Sequence, residues 1–200
     1  MGKIIIFIIA VGFFNCCRKP CNLPNYTFSV NDSFSPEKDS INIGDTLWLT
    51  CTISKTQIDI NTQASINFDN AENLGSNLVI SDISRFNLER GAVDSFNYIQ
   101  QYGNISTDPT SNPQGVKQLR FEESSDSYLL KVGLIAKKEG NYILTVPDNP
   151  YVFRRGMAKC GTADFKILNV NINKHLYLFE NIWGLLSEYD RNHSYCFKVY

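Results

Sequence analysis

Apolar and polar residues alternate along several short segments in the first three quarters of the chain. The clearest are residues 26–30, 130–134 and 142–146. A period of two places one face of a strand in a core and the other face near solvent. Runs of glycine, proline, asparagine and aspartate separate these segments and are typical of turns. The spacing predicts a mainly β domain over residues 26–150, built as a sandwich and not as alternating strands and helices.

The pattern changes after Pro150. Residues 164–173 predict a strand with apolar residues on both sides, which suits a strand covered on both faces. Residues 175–191 shift to helical spacing, because apolar residues recur at three-, four- and seven-residue intervals. Residues 195–200 predict a last strand. We therefore expect a C-terminal strand-helix-strand extension, residues 151–200, packed on the β domain.

A polar segment predicts a long insertion in the β domain. From Asn104 to Gly115 the chain has almost no apolar residues, which predicts a loop. Just before it, Ala92, Phe96 and Ile99 are spaced as on one face of a short helix. Long loops in compact domains are usually functional or mobile. The segment bounded by Asn104 and Gly115 is therefore a candidate contact surface.

Trp48 is a second candidate contact residue. In the period-two pattern it alternates with Leu47 and Leu49, so it lies on the outer face of its predicted strand. Two interpretations are open. The amphipathic helix around Trp183 packs over the ring, or the ring is exposed for stacking on a sugar or for burial in a partner.

Two segments resemble strands of an immunoglobulin domain. Residues 44–51 are similar to its second strand, and residues 138–144 are similar to the corner that precedes its sixth strand. The resemblance implies an immunoglobulin-like sandwich with a long insertion. It also implies that the hydroxyl of Tyr142 ties the corner to the backbone. Because Leu144 replaces the second cysteine of an antibody domain, Cys51 is expected to be a buried free thiol.

The first segment of the chain has the pattern of an export signal. Lys3 precedes an apolar run over residues 4–14, whose length matches the core of a secretion signal. A transmembrane helix needs about 20 apolar residues, so this run is too short to span a bilayer. We expect residues 1–15 to be a signal peptide.

The end of this run, Phe-Phe-Asn-Cys-Cys at residues 13–17, resembles the cleavage region of bacterial lipoproteins of the Bacteroidota type. The resemblance implies that Cys16, or alternatively Cys17, is acylated and that residues 16–25 form a tether. It implies a lipid-anchored protein of the bacterial cell envelope, at the outer membrane and with the periplasmic side favoured. Each buried methylene of an acyl chain contributes about 0.8 kcal/mol to the anchor. The alternative is a plainly secreted protein whose paired cysteines enter disulfides.

Four further cysteines follow, Cys21, Cys51, Cys160 and Cys196. Spacing alone does not rank their pairings. We expect a disulfide between Cys160 and Cys196, because it would tie the last strand to the turn before the preceding strand. Such a bond would stabilise the fold by roughly 2 to 4 kcal/mol. Cys21 would then be a free thiol or a partner of Cys17.

Charge and motifs exclude several classes of function. The formal net charge is −1, and no basic patch is interleaved with aromatics, so no nucleic-acid partner is expected. The sequence has no zinc-binding, nucleophile-elbow or nucleotide-binding motif, so it predicts no catalytic residue, metal ligand or cofactor. His175 and His193 are expected to be surface or capping residues.

These observations lead to two hypotheses of function. The first is a membrane-tethered, non-catalytic binding or structural module whose ligand is a protein or a glycan. The second is an envelope hydrolase that uses a pair of carboxylates. A deep pocket with convergent acidic groups would favour the hydrolase, whereas an exposed aromatic or loop surface would favour the binding module.

Overall fold

The computed structural model describes residues 25–84, 91–107, 116–155 and 161–200. Within these ranges the chain is mainly β and has two short α-helices. The strands are β1 (Tyr26–Ser35), β2 (Ser40–Ile41), β3 (Thr46–Ser54), β4 (Thr56–Ile58), β5 (Ser65–Asn67), β6 (Ala71–Glu72), β7 (Gly75–Asp82), β8 (Phe96–Tyr102), β9 (Asn104–Ser106), β10 (Val116–Arg120), β11 (Glu122–Glu123), β12 (Ser127–Ala136), β13 (Gly140–Thr145), β14 (Asn149–Arg154), β15 (Thr162–Asn169) and β16 (Ser194–Val199). The helices are α1 (Tyr177–Trp183) and α2 (Glu188–His193).

Two sheets contain most of these strands. The first has the order β11-β12-β3-β1-β15-β14-β6, with β8 also paired to β12, and the second has the order β2-β16-β13-β7-β10-β9. Strand β1 runs parallel to β15, and β16 runs parallel to β2. The small hairpin of β4 and β5 stands outside both sheets. Buried side chains from both sheets form one main apolar cluster, so the fold is a β-sandwich.

The alternating pattern builds this core. In β3 the side chains of Leu47, Leu49 and Cys51 are buried, while the residues between them are partly exposed. Strand β12 pairs with β3 and buries Leu130 and Val132 in the same way. Each fully buried aliphatic side chain stabilises the fold by about 1.5 to 3 kcal/mol. The predicted mainly β sandwich is confirmed.

The corner before β13 has the predicted tyrosine. The hydroxyl of Tyr142 donates to the backbone carbonyl of Lys138 at 3.0 Å and lies 3.3 Å from that of Glu139. The ring is buried and meets Phe96 edge-on, with centroids 4.9 Å apart. Cys51 is a buried free thiol, as predicted. Both features that the immunoglobulin resemblance implied at single residues are therefore confirmed.

The short helix predicted from Ala92, Phe96 and Ile99 is wrong. Residues from Phe96 onward form β8, which pairs antiparallel with β12, and only a 3-10 turn, Val93–Ser95, precedes it. Ile99 lies opposite Gly133, where a Cβ would come within 2.7 Å of the isoleucine Cγ1. Pairing with a long strand thus overrides a helical spacing that rests on only three residues.

The C-terminal region differs from the prediction in three ways. Strand β15 ends at Asn169, and beyond it Ile172 is 98% exposed, so the predicted strand is shorter and is not covered on both faces. The single predicted helix is two helices, because Gly184 adopts a φ of +90° and ends α1. Strands β15 and β16 lie inside the two sheets, so these two strands are an integral part of the sandwich.

Neither helix in the described part of the chain is long and apolar enough to cross a membrane.

Candidate ligand-binding groove beside the second helix

A groove on the protein surface runs between α2 and the outer face of β15. One part has a volume of about 260 Å³ and the adjoining part about 340 Å³. Asp148, Lys166 and Tyr189 line both parts, so they form one continuous surface. We call it the α2 groove, and its other lining polar residues are Asp164, Glu188, Asn192 and His193.

The outer face of β15 forms one wall. Ala163, Phe165 and Ile167 are buried in the core. Strand alternation therefore turns Asp164 and Lys166 outward, toward the groove. The same period of two that stabilises the sandwich thus places an acid and a base side by side at its surface.

Helix α2 forms the other wall. It begins after Ser187, whose Oγ accepts a hydrogen bond from the backbone N–H of Asp190 at 3.1 Å. Serine is a favoured residue at this capping position, and losing such a cap costs about 1 kcal/mol. Four residues apart on the helix, the rings of Tyr189 and His193 stack, with centroids 3.9 Å apart and 23° between their planes. The cap thus positions an aromatic pair on the groove wall.

His193 links the two walls. Its Nδ1 lies 2.6 Å from the backbone carbonyl of Tyr189, and its Nε2 lies 2.9 Å from Oδ1 of Asp148. Both neighbours are acceptors, so the imidazolium form donates from both nitrogens in this geometry. The same Asp148 oxygen accepts the backbone N–H of Ile167 at 2.9 Å. One carboxylate therefore holds α2 against β15, and the imidazole side chain that it contacts is only 5% exposed.

A buried carboxylate lies in the core within electrostatic range of this pair. Asp32 of β1 is 2% exposed and lies opposite Cys51 of β3 and Asn169 of β15. Burial raises the pKa of Asp32 to about 7, and the Asn169 amide and the charges of His193 and Lys174 partly oppose that rise. No described residue gives its carboxylate oxygens a hydrogen bond of ordinary length and angle. Asp32 is therefore a costly anion in the middle of the sandwich.

The structure places the predicted contact residues elsewhere. Trp48 is half-buried on the outer face of β3, and Nζ of Lys131 lies 5.3 Å from the centre of its ring. The helix that carries Trp183 does not supply the predicted cover, because it packs around Ile83 and Cys196, with its indole Nε1 donating to the Ile83 carbonyl at 2.9 Å. Trp48 is thus covered in part by a lysine of the neighbouring strand.

The predicted contact loop is described only at its beginning. Asn104 is exposed at the start of β9, where it pairs with Arg120 of β10. Gly115 lies outside the described residues. The start of the predicted loop is therefore a strand, and the rest of the segment stays a predicted contact surface.

The predicted acylation sites, Cys16 and Cys17, lie outside the described residues, as do Cys21 and Cys160. Cys196 is buried and has no partner thiol among the described residues, and its predicted bond to Cys160, which is not described, stays a prediction. In β16 it packs in a small apolar cluster with Ile83. Burial raises its pKa to about 12. The structure gives Cys196 a packing role.

Both histidines were predicted at the surface or at caps, and both are buried. His193 belongs to the groove, together with Asp148 and Tyr189, and none of these three was predicted from the sequence to bind a ligand. A serine cap followed by Tyr-x-x-x-His was the available signal, since residues four apart share a helix face. The described residues contain no group of three or more His, Cys, Asp or Glu side chains arranged to hold a metal ion.

Comparisons with known proteins show only weak likenesses. No protein-family model and no curated protein matches the chain. Among solved structures it is similar to the "Cohesin module from Clostridium perfringens ATCC13124 family 33 glycoside hydrolase", with 12% identity and a TM-score of 0.33 over 71% of this chain and 98% of that one. It is also similar to the "Non-cellulosomal cohesin from the hyperthermophilic archaeon Archaeoglobus fulgidus", with 13% identity and a TM-score of 0.24 over 77% and 97%. At these TM-scores neither likeness carries an argument about function.

Proposed function

We propose that this protein is a membrane-tethered, non-catalytic binding module of a bacterial cell envelope, and that it binds a glycan in the α2 groove. The observation that carries the ligand site is the rigid pairing of Tyr189 with His193, which Asp148 locks against β15. A rigid aromatic beside polar groups suits a sugar ring, which has an apolar face and a hydroxyl edge.

The polar groups around Tyr189 support this choice of ligand. Tyr189 is 46% exposed although one face of its ring lies on His193. Lys166 and Asn192 supply donors in the same groove, and Glu188 supplies an acceptor. A mixture of donors and acceptors around one aromatic ring is suited to hydroxyl groups, which both donate and accept.

Two of the three groove carboxylates have structural roles, which favours binding over catalysis. Asp148 accepts the Ile167 N–H and pairs with His193, and Asp164 accepts the backbone N–H of Tyr151 at 2.9 Å. Carboxylates held in this way brace the walls of the groove. Glu188 is the third carboxylate, and it lies at the N-terminal end of α2.

The groove is tested by measuring glycan binding with the mature chain on an array of envelope and host oligosaccharides, followed by titration calorimetry with the best binder. Tyr189→Ala is expected to weaken binding by about tenfold, because it removes an aromatic contact worth about 1 kcal/mol or somewhat more. Tyr102→Ala is the matched control, since Tyr102 is 42% exposed on β8 and lies outside the groove. Equal affinities for the two alanine variants would contradict the proposal.

The tether is tested separately by the mass of the mature N-terminal peptide from protein made in a bacterial host. We expect an acylated peptide that begins at Cys16 and is lost in Cys16→Ser. Loss in Cys17→Ser alone would move the acylation to Cys17. An unmodified N-terminus in the wild type would contradict the tether and favour a plainly secreted protein.

The second candidate, a hydrolase with a carboxylate pair, is favoured by the presence of Asp148, Asp164 and Glu188 in one groove. Incubating the wild type with the bound oligosaccharide and separating the products by chromatography distinguishes the two. A binding module leaves the oligosaccharide intact. Products formed by the wild type but not by Glu188→Gln would establish the hydrolase instead.

A further inference from the structure

A second cavity, of about 330 Å³, lies beside β6, β10 and β12 and shares no lining residue with the α2 groove. Two arginines line it, Arg120 at the end of β10 and Arg155 just after β14. Leu74 and Phe121 supply apolar lining. Its volume is at the lower end of the range for small-molecule sites. We call it the arginine pocket.

Arg120 is held in place by its own side-chain contacts. Its Nη1 donates to the backbone carbonyl of Asn73 at 3.3 Å. The side chain lies across Gly75, where a Cβ would come within 2.6 Å of Nη1 and 3.1 Å of Cδ. Only glycine leaves room for this arrangement. A guanidinium has five N–H donors, so Arg120 keeps capacity for a ligand after this bond.

Arg155 is brought to the same cavity by the turn before β6. Its backbone N–H donates to the carbonyl of Asn70 at 2.7 Å. The backbone nitrogen of Asn70 in turn lies 3.3 Å from Oε1 of Glu123, which also lines the cavity. The main chain at Arg155 is therefore anchored, while its side chain is exposed.

The charges around the cavity leave the two arginines in excess. Glu123 is the carboxylate that lines it, and Nζ of Lys55 lies 2.8 Å from Oε1 of that carboxylate. The neighbouring Arg154 pairs with Asp69. Within the described part of the chain, neither Arg120 nor Arg155 forms an ion pair. Arg155 interacts electrostatically with Glu123, but that carboxylate is already paired with Lys55, so the two guanidinium groups leave an excess of positive charge at the cavity.

We propose that the arginine pocket binds the oxyanion of an acidic ligand, a carboxylate, sulfate or phosphate group, between Arg120 and Arg155, with a small apolar part of the ligand against Leu74 and Phe121. Planar guanidinium forks bind such anions through paired, charge-assisted hydrogen bonds. Two arginines that meet at one partly apolar cavity are suited to an anion carried on a small organic molecule.

The experiment is an NMR titration of the mature chain with sodium sulfate, phosphate, acetate and benzoate, at constant ionic strength maintained with sodium chloride. We expect saturable shifts of the Asn73, Gly75 and Arg120 amides, with the preferred anion identifying the class of ligand. Arg120→Gln and Arg155→Gln are each expected to weaken binding about tenfold, since hydrogen bonds to charged groups are strong. Lys138→Gln is the matched control, because it removes an exposed positive charge elsewhere.

Several outcomes overturn the proposal. These are the absence of saturable shifts with all four anions, equal losses in Lys138→Gln and in the arginine variants, or binding that persists when both arginines are glutamine. Arg120→Lys and Arg155→Lys keep the positive charge and the fold but lose the paired N–H donors of the guanidinium group. Unchanged anion binding in both variants would therefore also contradict the proposal. Tyr189→Ala is expected to leave anion binding unaltered, which separates this site from the proposed glycan site.

Discussion

The inner face of β1 contributes to two different parts of the core, which lie roughly 13 Å apart along the strand. At one end Phe28 meets Phe68 and Phe165 edge-on, with ring centroids 5.6 and 5.3 Å away. Further along the same face, Asp32 lies between Cys51 and Asn169. We call these regions the aromatic trio and the polar core. Both are buried, and both are built by the same alternation of side chains.

The difference shows what burial does to each kind of group. The aromatic trio is stabilised by removal of apolar surface from water, a contribution that does not depend on pH. The polar core contains a carboxylate whose ionisation is opposed by its surroundings, so its contribution changes as it titrates. It also lies within electrostatic range of His193, which braces the α2 groove. The aromatic trio stabilises the sandwich equally at every pH, whereas the polar core makes the stability of the sandwich depend on pH.

The largest effect is expected from Phe28→Ala, which breaks the aromatic trio. Removing a fully buried phenylalanine and leaving a cavity costs about 3 to 5 kcal/mol of unfolding free energy. Urea denaturation at several pH values measures it, and the loss should be the same at each. Ser29→Ala on the exposed outer face is the control, expected within about 0.5 kcal/mol of wild type. A loss that varies with pH would contradict the comparison.

Asp32→Asn tests the polar core. The folded-state pKa of Asp32 is raised to about 7 from an ordinary value of 3.8, so between these values the folded state binds the proton more tightly. The stability that the protonated form provides is therefore fully present below about pH 4 and is lost as the pH rises toward 7. The loss is on the order of 2 to 4 kcal/mol.

The asparagine variant should flatten this slope and exceed the wild type in stability at pH 8. Asp69 and Glu123 have pKa values lowered by their pairing with Arg154 and Lys55, so the stability that they provide is lost in the opposite direction, as the pH falls below about 5. Urea denaturation at several pH values therefore distinguishes the loss of stability caused by Asp32, toward pH 7, from the losses caused by Asp69 and Glu123 at acidic pH. Equal pH slopes for wild type and variant between pH 4 and 8 would show that Asp32 does not titrate as described.

A smaller effect is expected from Tyr142→Phe at the corner before β13. The change keeps the buried ring and removes the hydroxyl that bonds the Lys138 carbonyl. The expected loss is about 1 kcal/mol, the net contribution of one hydrogen bond. Thermal and urea denaturation measure it. Unchanged stability in the variant would show that apolar packing alone stabilises this corner.

The smallest effect is expected from Ser187→Ala, which removes the cap of α2. The local cost is about 1 kcal/mol, and because α2 is short, much of it appears as fraying of the helix and not as global unfolding. Hydrogen exchange should become faster at Arg191, whose N–H bonds Ser187. Exchange at Leu49 in β3 is the internal control. Unchanged exchange at Arg191 would mean that the Asp148–His193 pair alone holds the helix.

Local patterns were sufficient for several parts of the fold. The turn and period-two run that contains Leu47, Leu49 and Cys51 predicted β3 and its buried face, and the resemblance to an immunoglobulin corner implied the backbone bond of Tyr142. These features depend on residues that are neighbours in the sequence. An alternating strand requires only that apolar surface cover its inward face. The helix predicted at Ala92 was wrong because pairing with β12, not local spacing, decides that segment.

The candidate site was beyond local patterns. Asp148 follows β13 and His193 ends α2, and they meet only because the fold brings the two segments together. The alternation of β1 turns Asp32 inward, but only the packing of β3 and β15 around it decides how far its ionisation is opposed. The sequence by itself determined the clearest alternating strands and their inward faces, since side-chain periodicity and turn preferences are local. The tertiary structure alone decided the parallel pairing of β1 with β15, the groove and the titration of Asp32, because contact, burial and charge between distant residues exist only after the sheets have packed.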